Sequence, residues 1–246
     1  MVSTGDRRIG VVIPALNEAA SVGNVVHRLL EHGADLVVVA DNGSTDGTGD
    51  VAAAAGATVV REERKGYGYA CAAGAAAVIE AGATVVVWID GDGSSRPEEL
   101  GDLLTPLDED RADLVLGSRV LGEIEAGAMG PHQRFGNAIM AALMRRLYGL
   151  TVTDLGPYRA IRAELLESLA MSEMTFGWPT EMTVKCARRD ARIVEVPVAW
   201  DARREGKSKV SGTIKGSLLA GWHIGRVTLR HVRGGSANAG QSKSRG

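Results

Sequence analysis

Short apolar runs recur along the first half of this chain at Ile9–Ile13, Leu36–Ala40, Thr58–Val60, Thr84–Ile89 and Leu114–Leu116, and alanine-rich or amphipathic stretches of helical length separate them. This rhythm predicts βαβ units. The runs are continuous in Val, Ile and Leu and do not alternate with polar residues, as expected of strands buried on both faces, so the predicted class is α/β with a mostly parallel sheet between helical layers. After Arg119 the rhythm breaks into a loop at 122–133, an amphipathic helix around Phe135–Tyr148, and shorter elements ending at Arg192–Val198. With no internal repeat and no proline-rich linker, this second half is expected on the same sheet, in one compact unit over residues 1–233.

Composition narrows the class. A chain of 246 residues that is 45% hydrophobic can bury a full core. A net charge of −2 and 4% aromatic residues argue against nucleic-acid binding. Cys71 and Cys186 lack metal-ligand spacing and suit a reducing compartment. No apolar run approaches the ~20 residues that span a bilayer, and Met1–Arg8 has no apolar signal core, so a cytoplasmic protein, soluble or peripheral at a membrane, is expected. The last 46 residues are the exception to this balance: they hold ten Lys or Arg against Asp201 and Glu205, which suits an anionic partner. Residues 234–246 are mostly Gly, Ser, Ala, Asn and Lys, a composition too polar to order itself.

The candidate chemistry lies where the predicted strands end. The fourth apolar run stops at Asp90-Gly91-Asp92-Gly93. Two hard oxygen donors one residue apart, beyond the carboxyl end of a strand, suit Mg²⁺ or Mn²⁺ bridging a diphosphate; the plainer reading is a turn. The first strand runs into Pro14-Ala15-Leu16-Asn17-Glu18, where Pro14 is expected to stop the strand and Asn17 to cap the next helix. The second leads into Asp41-Asn42-Gly43-Ser44-Thr45-Asp46-Gly47-Thr48. Arg64-Lys65-Gly66-Tyr67-Gly68 then sets a cation and bare backbone at a helix N-terminus, a favourable place for phosphate.

In this order, an Ile-Pro-x-x-Asn-Glu loop, an Asp-x-Gly-Ser-x-Asp-Gly-Thr loop, a Lys-Gly-x-Gly turn, an Asp-x-Asp strand end and Gly117-Ser118-Arg119 resemble the family 2 glycosyltransferases, most closely the dolichyl- and polyprenyl-phosphate sugar synthases and their bacterial relatives. The resemblance covers roughly residues 9–212. It implies a GT-A fold, a nucleotide-diphosphate sugar donor and a divalent metal, Mg²⁺ or Mn²⁺, at Asp90 and Asp92. Residues 8–119 would form the nucleotide-sugar half and 120–212 the acceptor half. Pro14, Leu16, Asn17, Glu18, Asp41 and Asn42 would line the nucleoside pocket; Lys65, Gly66 and Gly91 would border the diphosphate. Asn42 departs from the pattern, since many relatives have a second Asp there. UDP-glucose is favoured as donor over GDP-mannose.

Looser matches follow. His132-Gln133-Arg134-Phe135-Gly136-Asn137, Thr153-Asp154-Leu155-Gly156-Pro157-Tyr158-Arg159 and Phe176-Gly177-Trp178-Pro179-Thr180-Glu181-Met182 are similar to the acceptor half of that subgroup, with Arg119, His132, Arg134, Trp178 and Arg204 as acceptor contacts. A hydroxyl acceptor needs a general base, for which Glu181 is the first candidate and Asp154 the second; alternatively Glu181 only caps or salt-bridges its helix. Arg203-Arg204-Glu205-Gly206-Lys207-Ser208-Lys209 resembles a segment whose cations contact phosphates, which assigns Arg203 and Lys209 to the donor. Residues 213–233 can form a basic amphipathic helix with Ile214, Leu218 and Trp222 on one face, suited to an anionic membrane, to the sheet or to a second subunit in a homodimer.

The preferred acceptor is a polyprenyl phosphate, with a hydroxyl of a soluble metabolite as the alternative. A Rossmann dehydrogenase fails because Cys71 stands where the third glycine should be. A sugar nucleotidyltransferase would want a glycine-rich, arginine-containing first loop. A non-catalytic sugar-nucleotide module is not excluded by the sequence.

Overall fold

The computed structural model describes residues 7–203 together with Arg226. Seven strands form one sheet in the order β3-β2-β1-β4-β6-β5-β7. They are β1 (Ile9–Ala15), β2 (Leu36–Asp41), β3 (Thr58–Arg61), β4 (Val85–Trp88), β5 (Leu114–Ser118), β6 (Arg159–Arg162) and β7 (Ile193–Pro197). Strands β1 to β4 pair in parallel. β6 enters antiparallel between β4 and β5, with Val87 opposite Ala160 and Val115 opposite the same residue, and β7 closes the far edge parallel to β5.

Apolar residues on successive positions of β1 serve different cores. Val11 and Ile13 join one cluster, with α1 (Val22–Glu31) and α4 (Leu100–Asp108); Val12 joins the other, with α3 (Tyr67–Glu80) and α7 (Trp178–Ala187). Two covered faces are why the strands are continuously apolar. The alanine-rich α3 lies unusually near the sheet: a Cβ on Gly74 would stand 2.3 Å from a methyl of Val12. The remaining helices are α2 (Thr48–Ala54), α5 (Pro131–Tyr148) and α6 (Ala163–Ser168). α5 begins with Pro131 at its first turn and ends before Gly149 at φ +69°, the start and stop that helix geometry favours.

Two local expectations are corrected. Pro14 does not stop β1, which continues to Ala15. The register with β4 ends at Val12 opposite Trp88, so the N–H that proline lacks is not required there. Asn17 does not cap α1, whose N-cap is Ser21; Asn17 stands at φ +51° and its Oδ1 accepts the N–H of Thr45 at 2.8 Å. The basic residues Arg204 and Lys209, the 213–233 stretch apart from Arg226, and the 234–246 tail lie outside the described residues. Among the described residues, no helix is long and apolar enough to cross a membrane.

Candidate active site

The carboxyl ends of β1, β2 and β4 meet at one end of the parallel half, where open α/β sheets bind ligands. Hydrogen bonds fasten their loops together. Ser44 Oγ receives the N–H of Asn17 at 2.8 Å, Asp41 Oδ1 receives that of Ser44 at 2.8 Å, and Thr48 Oγ1 that of Glu18 at 2.8 Å. Asn42 is buried and braces the third loop: its Nδ2 donates to the carbonyls of Glu62 at 3.0 Å and Arg64 at 2.7 Å, and its Oδ1 accepts the N–H of Gly66 at 2.9 Å. An Asp there could accept but not donate. The asparagine that stood out as a departure in sequence therefore fixes the Lys65–Gly68 turn. Lys65 itself is exposed, with Nζ 3.5 Å from the Asn42 carbonyl.

That turn is also gripped from the second half. The N–H of Gly68 donates to the carbonyl of Met174 at 3.1 Å, and a Cβ on Gly68 would come within 2.5 Å of the Glu173 carbonyl oxygen. Tyr67 stacks on Phe176 with ring centroids 6.1 Å apart. The 172–176 segment is in turn anchored by Glu181, whose carboxylate accepts the N–H groups of Ser172 at 2.9 Å and Glu173 at 2.7 Å, the Ser172 hydroxyl at 2.6 Å, and Lys185 at 2.9 Å. Burial pushes the Glu181 carboxyl up, yet these donors outweigh it and hold it below the usual glutamate value. Such a group is a poor proton acceptor. The geometry favours the anchoring reading of Glu181 over the general base. Arg226 reaches the same segment and pairs with Glu173 at 3.0 Å.

Asp154 has a comparable fate. Its side chain is wholly buried and clasps Arg119 through two bonds, 2.6 Å to Nε and 2.7 Å to Nη2, and it also accepts Asn137 Nδ2 at 3.0 Å. Burial works against the Arg119 charge, but the carboxylate overcomes it and the guanidinium pKa is raised. The other side of Arg119 rests on the Trp200 ring, 4.8 Å from its centroid. Asp154 therefore aims a cation. Asn137, the last residue of the His132–Asn137 motif, and Trp200, which sequence reasoning did not single out, complete the clamp. Below it, fully buried Arg159 donates to the carbonyls of Gly156 at 3.2 Å and Pro179 at 2.7 Å, tying the 154–157 turn to α7.

The two central carboxylates differ. Asp92 is 8% exposed, with Oδ1 accepting the N–H of Ser94 at 2.9 Å and Oδ2 paired with Arg203. Burial and the adjacent Asp92 push the Asp90 carboxyl well above the usual aspartate range, against the pull of Arg119 and Arg203. An under-compensated carboxylate pair at a strand end fits a divalent cation whose remaining ligands come from a diphosphate and water. Asp90 and Asp92 are the residues that would hold such an ion here. Among the described residues, no group of three or more His, Cys, Asp or Glu side chains could hold a metal without such help.

Of the expected acceptor contacts, Arg119 is at the site. Arg134 and Asn137 line a cavity of about 210 Å³ beside Thr153, Val120, Ile124 and Met129. His132 is exposed at the start of α5. Trp178 is not available to an acceptor: it is 3% exposed inside the core cluster beneath α7. Val120 of the cavity lining and, next to lining residues in sequence, Leu121, Phe135 and Ile139 are large apolar side chains left exposed.

The profile of the family described as "Glycosyl transferase family 2" matches residues 10–170. The chain belongs to that family. It is 40% identical over 213 residues to an uncharacterized glycosyltransferase of Mycobacterium tuberculosis, covering 86% of this chain and 94% of that one. It is 36% identical over 226 residues to the undecaprenyl-phosphate mannosyltransferase of Micrococcus luteus, covering 86% and 91%. In three dimensions it is similar to the crystal structure of glucosyl-3-phosphoglycerate synthase from Mycobacterium tuberculosis in complex with Mn²⁺, UDP-glucose and phosphoglyceric acid. The TM-score is 0.75 at 26% identity, over 92% of this chain and 80% of that one. The fold is that of the GT-A glycosyltransferases, and this family 2 chain is a glycosyltransferase.

Proposed function

We propose that this glycosyltransferase moves a hexose from a nucleotide-diphosphate sugar to a polyprenyl phosphate, with Mg²⁺ or Mn²⁺ held by Asp90 and Asp92. The observation that carries the reading is that both carboxylates the sequence offered as a general base are consumed: Glu181 by the 172–173 segment and Lys185, Asp154 by Arg119 and Asn137. A hydroxyl acceptor must lose a proton, whereas a phosphate monoester is already ionised and needs cations more than a base.

The metal would neutralise charge on the departing diphosphate. A phosphate oxygen of the acceptor attacks the anomeric carbon, the bond from that carbon to the diphosphate breaks, and the nucleoside diphosphate leaves with the electron pair; no proton changes hands. Arg119, held rigid by Asp154 and Trp200, would hold the incoming phosphate, with Arg134, which shares a cavity with the Asp154-bonded Asn137, as a second cation. The cavity beside Arg134 and the exposed Phe135, Ile139, Val120 and Leu121 suit the apolar tail of such an acceptor. The similarity to an undecaprenyl-phosphate mannosyltransferase supports the same class.

A second reading, a soluble phosphorylated acceptor, is favoured by the similarity to the phosphoglycerate-bound synthase. The experiment is a product assay with UDP-glucose and GDP-mannose against undecaprenyl phosphate and 3-phosphoglycerate in parallel. Sugar in the organic phase supports the lipid acceptor. Product confined to the aqueous phase moves the assignment to the soluble one.

A further inference from the structure

Arg203 occupies the place where a cation is most wanted. One nitrogen of its guanidinium pairs with Asp92 and another lies 3.5 Å from Glu18 Oε1. Its position is set by a strip of chain bolted to the loop that carries Asp92. Ala199 N–H donates to the Glu99 carboxylate at 2.9 Å, Asp201 N–H to the Ser94 carbonyl at 2.9 Å, and Ala202 N–H to Glu125 Oε2 at 2.7 Å. Arg96, four residues after Asp92, grips Asp201 with bonds of 2.8 and 2.6 Å. Arg96 and the Ser94 carbonyl thus hold residue 201, Glu125 holds residue 202, and the next residue is delivered across the carboxylates.

We propose that Arg203 is an internal counter-cation for the metal site: it competes with the divalent ion for Asp92 and is exchanged onto the diphosphate when metal and donor arrive together. The Asp92 oxygen that receives the guanidinium cannot present the same lone pairs to a metal. Bare metal must therefore displace Arg203 and leave its charge without a partner on Asp92. Metal bound with a nucleoside diphosphate brings new anionic oxygens to which the released guanidinium can move within its own side-chain reach. The consequence is an order of binding. The free enzyme resists bare metal and accepts the metal–nucleotide pair, because the fraction of protein with Asp92 open scales the apparent affinity.

This rests on Asp90 and Asp92 being the metal ligands, so the test carries its own control and uses no acceptor and no turnover. Mn²⁺ binding to the full chain is titrated by calorimetry, with free Mn²⁺ followed by electron paramagnetic resonance. UDP and GDP binding is then titrated at saturating Mn²⁺. Wild type is compared with Arg203→Gln, Arg203→Lys and Asp92→Asn, each checked for an unchanged melting profile.

Arg203→Gln is expected to tighten bare Mn²⁺ by about tenfold, the factor that corresponds to Asp92 being open in roughly a tenth of the free protein, and to weaken the nucleotide in the presence of Mn²⁺. Arg203→Lys should fall between the two on both measurements. Unchanged or weaker Mn²⁺ binding in Arg203→Gln, with Asp92→Asn still abolishing it, overturns the counter-cation role alone. Mn²⁺ binding that survives Asp92→Asn at wild-type strength removes the metal site itself, and the proposal with it.

Discussion

Gly68→Ala tests how the two halves are joined. The added Cβ would lie 2.5 Å from both the Glu173 carbonyl oxygen and the Met174 Cα, and 2.6 Å from the Met174 carbonyl carbon. All three are backbone atoms, and no rotamer change can relieve the overlap. The 173–174 backbone must move, yet Glu181 holds it from below and Arg226 pairs with Glu173. Overpacking of this kind costs about 1–3 kcal/mol. Losing the 3.1 Å bond from Gly68 to Met174 adds about 0.5–1.5 kcal/mol. For a chain of this size, a combined loss of about 1.5–4.5 kcal/mol corresponds to a fall in Tm of roughly 3–18 °C. Because the displaced turn carries Lys65 and Gly66, donor affinity should fall as well. The assay is thermal and urea unfolding together with calorimetric titration of nucleoside diphosphate. Gly101→Ala, at an exposed position in α4 where an added Cβ meets nothing within 4 Å, is the control and should be neutral or stabilising. A Gly68→Ala protein as stable as wild type, binding donor equally well, would refute the claim that the 172–176 segment supports the donor turn.

Other expectations follow from the same contacts. Asn42→Asp loses two donated bonds and faces a carboxylate towards the Glu62 and Arg64 carbonyls, so it should destabilise by about 1–3 kcal/mol for each carbonyl left unpaired and weaken donor binding, measured by unfolding and titration. Asp154→Ala strands the Arg119 guanidinium and should cost about 3–5 kcal/mol in urea unfolding, with loss of transfer activity. Glu181→Gln should lower stability by about 1–3 kcal/mol while leaving kcat on a lipid phosphate near wild type. A well-folded Glu181→Gln protein slowed ~100-fold would restore Glu181 as the base.

The parallel half was legible because buried parallel strands leave continuous Val and Ile runs, and all five predicted runs overlap observed strands. β6 was not. Its residues, Arg159-Ala160-Ile161-Arg162, begin and end in charge, and nothing local announces that Arg159 is buried on backbone carbonyls of residues 156 and 179. Asp90 and Asp92 stood out because charge rarely follows an apolar run at once. What sequence could not give was the state of each carboxylate. Glu181 and Asp154 look alike as candidate bases in a string of letters, and only their partners reveal that one fastens a loop and the other a guanidinium. Trp200 carried no signal and Asn137 only membership of the His132–Asn137 motif, since a ring under an arginine and an amide beside an aspartate are set by contacts 81 and 17 residues apart in sequence, respectively.

In the proposed reaction Asp90 and Asp92 form a metal-dependent diphosphate site. Its most direct test is calorimetric titration of UDP and GDP into wild type and Asp92→Asn, each in Mn²⁺ and in EDTA. At least one nucleotide should bind wild type far more tightly with Mn²⁺ than with EDTA, and Asp92→Asn should abolish that difference while keeping the wild-type melting profile. Equal metal enhancement in the two proteins, or nucleotide binding to wild type that is indifferent to Mn²⁺, would contradict the account.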